Sequence, residues 1–373
     1  MIWIAPSEKD AGNAALEKRL WDAADQFRAN SGLKAQEYSA PVLGLIFLRF
    51  AEVRFASQRA KLLKQAETAR PSRRSLGEGG RADEPAAYHA EGILYLPAEA
   101  RFDYLLNRPE AENIGSKVNA AMRDIEKHNP QLAGVLPKTY NLFTSTLLKE
   151  LLKKVSEIPA LLDYDAFGRI YEYFLGEFAM SEGQGGGEFY TPSSIVRLLT
   201  EVIEPYHGRI LDPACGSGGM FVSSARFVSE HKKNPAAELS IHGVEKTDET
   251  GRLCRLNLAV HGLEGEIKHG GNINSYYDDP HDATGRFDFV LANPPFNVNA
   301  VDKERLKDMV GPGRRFPFGL PRTDNAKDRA GFIMANTTKS AHSCSMKITE
   351  DDLEYATEEG IAEEVSLKMG MEE

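Results

Sequence analysis

A short apolar run ending in a carboxylate, Gly208 to Asp212, leads directly into a turn holding Gly216, Gly218 and Gly219 and then into the helical stretch "MFVSSARF". Strand, glycine turn and helix in this order form the geometry that brings backbone close to a cofactor at the carboxyl edge of a parallel sheet. Downstream, "ELSIHGVEK", "EIKHGGN", "FDFVLANPPF" and "RAGFIMANTT" supply four further strand candidates, alternating with helical segments. That alternation predicts an α/β fold with a doubly wound, mostly parallel sheet.

Upstream the texture differs. "ALEKRLWDAADQF" sets Leu16, Leu20, Trp21, Ala24 and Phe27 on one stripe, and "APVLGLIFLRFAEVRF" repeats the pattern with more apolar residues. Helical periodicity returns in "NIGSKVNAAMRDIEKHN", "TLLKELLKKVSEI" and "DAFGRIYEYFLGEFAM". Between them "RPSRRSLGEGGRADEPAAY" is rich in Gly, Pro, Ser and charge, and predicts a mobile loop at about residues 70–90. The expected organisation is a helical domain over 1–163, an α/β domain over 164–343 and an acidic tail over 344–373. Just after the glycine-rich "SEGQGGGEFYTPSS", Thr191 is a candidate N-cap with Pro192 at the first helical position.

Composition narrows the function classes. At 373 residues and 42% hydrophobic content there is material for two cores. The most apolar stretch, "PVLGLIFLRF", is interrupted by Arg49, so no membrane-spanning run is expected, and the N-terminus lacks a basic region ahead of an apolar one. A cytoplasmic location is the expectation. Cys215, Cys254 and Cys344 are too scattered for a disulfide framework, and no Cys/His spacing signals a metal. The net charge of −10 argues against nucleic acid until its distribution is considered: Met346 to the end has ten acidic residues against two lysines, leaving the rest close to neutral.

Three positions promise chemistry. Asp212, at the end of the first strand, can pair with a ligand ammonium group, and the glycine spacing is not the G-x-G-x-x-G of a dinucleotide site; an amino acid moiety fits better than a diphosphate. Glu245 ends the second strand, about 30 residues on, placed to accept from the two hydroxyls of a ribose. Asn293-Pro294-Pro295-Phe296 ends the fourth. There the Asn oxygen and the Pro294 carbonyl can accept the two hydrogens of an amine, proline stiffens the backbone, and the aromatic ring can stack on a planar base.

"DPACGSGG", "NPPF" and, upstream of both, "GEFYTP" resemble the motifs of adenine-specific DNA methyltransferases, and the helical opening is similar to the N-terminal domain of the modification subunit of type I restriction-modification systems. The resemblance covers roughly residues 14 to 340. It implies a Rossmann-like methyltransferase domain behind a helical domain, S-adenosyl-L-methionine as cofactor, and the amine of a DNA adenine as acceptor. Asp212, Ala214, Gly216 and Gly218 match the loop around the methionine portion, Glu245 the ribose acceptor, and Phe189, Tyr190 and Thr191 the segment that packs against the cofactor. Asn272 stands where such enzymes often use Asp at the cofactor adenine. The implied partners are DNA, a specificity subunit that reads the target and a translocating restriction subunit, with two modification subunits per complex. Alternatives are a decayed, non-catalytic cofactor-binding or assembly subunit, or a methyltransferase acting on RNA or protein glutamine. The pattern also predicts a helix after Ala326 that is missing here, and further strands and helices beyond, so a C-terminally truncated chain is expected.

Overall fold

The computed structural model describes residues 35–68, 80–158, 164–181, 193–294 and 301–311, with shorter stretches at 17–18, 20–22, 24–25, 28–29, 32–33, 191, 314–316, 320 and 345–347. Two compact units result, Met1–Glu182 with Ala259–Gly262, and Gly183–Leu258 with Leu263–Glu373.

The first unit is helical. Its long helix α1 (Ala35–Thr68) is buried on all sides from Pro41 to Leu48, the state expected of a helix whose apolar residues encircle it. Around it pack α3 (Ser145–Ser156) and α4 (Tyr164–Ser181), with α2 (Ile114–His128) lying against α3. Helix starts follow side-chain chemistry. Asn113 caps α2 by accepting from Ser116 N at 2.9 Å, and Thr144 caps α3 by accepting from Leu147 N at 3.2 Å. α4 packs on α1 and belongs to this unit, which runs to Glu182.

The loop expected at about 70–90 is only partly a loop. Residues 69–79 lie outside the described residues, but Gly80–Asp83 form a 3-10 turn and Ala86–His89 a short helix. Tyr88 is fully buried, stacks on Phe55 at 4.7 Å and donates to Ala82 O at 2.6 Å. A single aromatic thus anchors a stretch whose composition predicts mobility. No described helix is long and apolar enough to cross a membrane.

The second unit holds a five-stranded, all-parallel sheet in the order β3-β2-β1-β4-β5, with β1 Gly208–Asp212, β2 Leu239–Glu245, β3 Gly265–His269, β4 Phe289–Ala292 and β5 Ser345–Lys347. Four of these are the strands expected from the sequence. The fifth candidate, 329–338, lies outside the described residues; the strand paired with β4 is at 345–347 instead. One face of the sheet packs Ile210, Ile241 and Leu291 against α5 (Ser193–Ile203), α6 (Gly219–Glu230) and α7 (Asp248–Val260). On the other, Leu211, Val290 and Ala292 meet Ala283 and Phe287 from the β3–β4 connection. Burial on both faces explains why β1 and β4 read as continuous apolar runs.

Chain order makes one position special. The sheet grows outward from β1 through β2 to β3, then returns to the opposite side of β1 with β4. The carboxyl ends of β1 and β4 are the topological switch point, the place where open α/β sheets bind ligands.

Candidate functional site

Asp212 closes β1 at this switch point, 2% exposed. Its Oδ1 accepts from Ala214 N at 2.9 Å, which folds the chain into the turn. Burial pushes its carboxyl up to about 8; the Ala214 N–H opposes the shift and the Glu245 carboxylate adds to it. A buried acid with a like charge nearby is a site that favours an incoming cation.

The turn itself depends on two left-handed glycines. Gly216 has φ +51° and Gly218 φ +85°, conformations costly for other residues. A methyl added at Gly218 would lie 2.9 Å from Cys254 Sγ, whereas at Gly216 it would meet nothing within 4 Å. Gly218 is therefore fixed by packing against α7, and Gly216 borders open space. Behind the turn, Cys215 and Cys254 are buried free thiols. Their mutual hydrogen bond and burial push the Cys215 thiol well above its ordinary range, so it stays a protonated packing group.

Glu245 ends β2 and is tied into the same turn. Its Oε2 accepts from Gly216 N at 3.1 Å and its Oε1 from Thr247 N at 2.9 Å and Thr247 Oγ1 at 3.2 Å. Three acceptor sites are thus used, and a carboxylate offers about four. The turn after β3 joins through Gly270 N, which donates to Glu245 O at 3.2 Å. Gly270, Gly271 and Asn272 follow with φ of +71°, +61° and +65°, and Asn272 is exposed at the carboxyl edge. Asn is one of the few non-glycine residues that tolerate this conformation.

Asn293 follows β4, half-buried, with Pro294 buried behind it. Its Nδ2 donates to Thr191 Oγ1 at 2.8 Å, and its Oδ1 is buried without a hydrogen-bond partner among the described residues. An acceptor left in that state costs about 1–3 kcal/mol, and in native proteins such a group marks a place where something else supplies the donor. Phe189, Tyr190, Pro295 and Phe296 lie outside the described residues. Asp212, Ala214, Gly216 and Glu245 are thus joined in one hydrogen-bonded turn, Asn272 is tethered to it through Gly270, and Asn293 is bonded to Thr191 beside it.

Two contributors escape a sequence reading. Ser275 Oγ donates to Pro213 O, clamping the β3–β4 connection onto the turn after β1. Arg315, 11% exposed, pairs with Asp279 at 3.1 Å and donates to Ser275 O, drawing residues 314–316 onto the same connection. Their separations in sequence leave no local signal. Elsewhere His242, Glu266 and His281 bring ligand-type atoms within 4.8 Å of one another. Lys268 holds Glu266 at 2.8 Å, and His242 Nε2 and His281 Nε2 lie 3.0 Å from Ser240 Oγ and Gly243 O. Burial, His281 and Arg209 push His242 down to about 4. Lys268 and Arg209 are the cationic neighbours of this cluster, whose side chains already bond within the protein.

Comparison with known proteins agrees with this geometry. The family model described as N-6 DNA Methylase matches residues 162–348, and that described as HsdM N-terminal domain matches residues 16–157. The type I restriction enzyme MjaIX methylase subunit of Methanocaldococcus jannaschii is 36% identical, over 91% of this chain and 65% of that protein. The type I restriction enzyme HindI methylase subunit of Haemophilus influenzae is 35% identical, over 57% of this chain and 49% of that protein. The chain therefore spans less than two thirds of the length of these relatives. Among solved structures, the type I restriction-modification system methyltransferase subunit of Streptococcus thermophilus superposes with a TM-score of 0.69 at 21% identity, covering 90% of this chain and 74% of that one. A likeness at that identity speaks for the fold. The chain belongs to the N-6 DNA methylase family, with an HsdM N-terminal domain ahead of the methylase domain.

Proposed function

We propose that this chain is the modification subunit of a type I restriction-modification system, a site-specific methyltransferase acting on the N6 amine of adenine in DNA. The observation behind this reading is the buried Oδ1 of Asn293, without a hydrogen-bond partner among the described residues, at the switch point of the sheet beside a turn built on Asp212 and Glu245.

The residues fit S-adenosyl-L-methionine. Asp212 offers a buried carboxylate to an ammonium group, Glu245 keeps an acceptor site for ribose hydroxyls, Gly216 opens onto free space, and Asn272 stands exposed at the end of β3 for the adenine ring. Phe189 and Tyr190 complete the cofactor segment. When bound, the cofactor supplies a methyl group on a positively charged sulfur.

The acceptor amine is a weak nucleophile because its lone pair is delocalised into the ring, and it lies inside the duplex. The base must leave the stack before anything can reach it. Asn293 Oδ1 and the Pro294 carbonyl then accept its two hydrogens, so the nitrogen becomes pyramidal and its lone pair is freed. Pro295 holds the backbone, and Phe296 supplies the ring on which the base stacks. Transfer needs placement and electrostatics more than a strong base. Target reading falls to a separate specificity subunit, with two modification subunits and a restriction subunit in the full assembly. The names of the relatives, each the methylase subunit of a type I restriction enzyme, support membership in such an enzyme.

Calorimetry with S-adenosyl-L-methionine tests the cofactor half of the reading. Saturable one-to-one binding is expected, lost in Asp212→Ala and Glu245→Ala. Failure of the wild-type chain to bind at high micromolar cofactor would contradict it.

A further inference from the structure

Asn293 and Thr191 are 102 residues apart in sequence, yet the Asn293 amide nitrogen donates to the Thr191 hydroxyl oxygen at 2.8 Å. The contact goes with one of two arrangements that covalent structure leaves open: a hydroxyl can accept from the amide nitrogen or donate to its oxygen, and here it accepts from the nitrogen. A side-chain amide rotates between two nearly equivalent orientations that exchange its oxygen and its nitrogen. Only one of them suits an amine acceptor. With the oxygen forward, Asn293 accepts a hydrogen from the amine; with the nitrogen forward, amide hydrogens face amine hydrogens and the pair repels.

Everything described about Asn293 is consistent with one end held and the other kept for use. The nitrogen is tethered and the oxygen is buried without a partner among the described residues. Thr191 sits just ahead of α5, and its expected tasks were to cap that helix and to line the cofactor segment. Its hydroxyl reaches across to the end of β4. Pro294, buried next to Asn293, restricts the backbone while Thr191 restricts the amide.

We propose that Thr191 is a positioning residue for methyl transfer, its hydroxyl holding the Asn293 amide with Oδ1 turned toward the acceptor amine. The inference rests on the methyltransferase reading above. It assigns Thr191 to the geometry of the acceptor, separate from the affinity for cofactor. Removing one neutral hydrogen bond of this kind predicts a loss of about tenfold in kcat.

The test combines kinetics with a signal that needs no turnover. Thr191→Val, close in shape to Thr but without the hydroxyl, and Thr191→Ser are compared with wild type in the complex of this chain with its specificity subunit and DNA. Expected are a kcat about tenfold lower for Thr191→Val with an unchanged cofactor Kd, near-wild-type kcat for Thr191→Ser, and no further loss when Thr191→Val is added to Asn293→Ala. In the isolated chain labelled with 15N-asparagine, the side-chain amide resonance that disappears in Asn293→Asp should show slow hydrogen exchange in wild type and Thr191→Ser, and fast exchange in Thr191→Val. A raised cofactor Kd with unchanged kcat in Thr191→Val, losses that add to those of Asn293→Ala, or an amide resonance indifferent to Thr191 would each overturn the proposal. Absence of transfer by the wild-type complex would instead overturn the methyltransferase reading, and the catalytic use of the tether with it, while the resonance would still report whether the tether exists.

Discussion

At the scale of residues, Asp212 makes a prediction about pH. Its folded pKa is raised to about 8, so between the ordinary carboxylate range and about 8 the folded state holds a proton that the unfolded chain has lost. The contribution of this group to stability is therefore complete at low pH and is lost as pH rises through the folded value. A ligand ammonium favours the ionised form, so binding releases that proton. Cofactor affinity is expected to climb as pH rises from about 6 toward about 8, by up to about tenfold per unit, in calorimetric titrations. Asp212→Asn should flatten that slope; an unchanged slope would remove Asp212 from the ammonium site. Asp212, Glu245 and Asn293 were legible in the sequence because each is the polar residue that ends an apolar strand, a local signal. The Thr191 contact was not legible, since only the crossing of the chain to the far side of β1 brings residue 191 beside residue 293. The same reason hides Ser275 and Arg315, whose partners are Pro213 and Asp279.

Among elements, the glycine turn separates two tasks that sequence alone runs together. Gly218 begins α6 in a left-handed conformation with Cys254 Sγ 2.9 Å from where a methyl would sit. Gly218→Ala therefore combines backbone strain of about 1–2 kcal/mol with a clash against a buried sulfur, and its Tm should fall by several degrees. Gly216→Ala meets no neighbour within 4 Å and should melt closer to wild type, yet bind cofactor more weakly because its methyl fills open space at the site. Equal melting temperatures for the two would contradict the packing given to Gly218. The strands themselves were legible from their alternation with helical segments: β1, β2 and β4 fall within the expected runs and β3 starts one residue ahead of its own, and for β1 and β4 two covered faces make a short apolar block bounded by turns. Composition misled at 80–89, where Arg, Asp, Glu and Pro suggest a loop and the buried ring of Tyr88 on Phe55 holds a turn and a short helix. One aromatic burying its whole area outweighs several polar neighbours that remain in water.

For the whole molecule, a helical unit and a parallel α/β unit supply different parts of one proposed assembly. The charge distribution fits a subunit that delegates DNA reading: away from Met346 to the end, which has a net charge of −8, the chain is nearly neutral, with no surplus of cations to grip phosphates. Methyl transfer should accordingly depend on a specificity subunit. The account stands most directly on Asn293, so the decisive measurement is transfer of tritiated methyl from S-adenosyl-L-methionine to adenine in DNA by this chain with its specificity subunit, compared with Asn293→Ala. Transfer by wild type at the N6 position is expected, with a drop in kcat on the order of 100-fold or more in the variant and cofactor affinity preserved. Transfer at the wild-type rate by Asn293→Ala would contradict it.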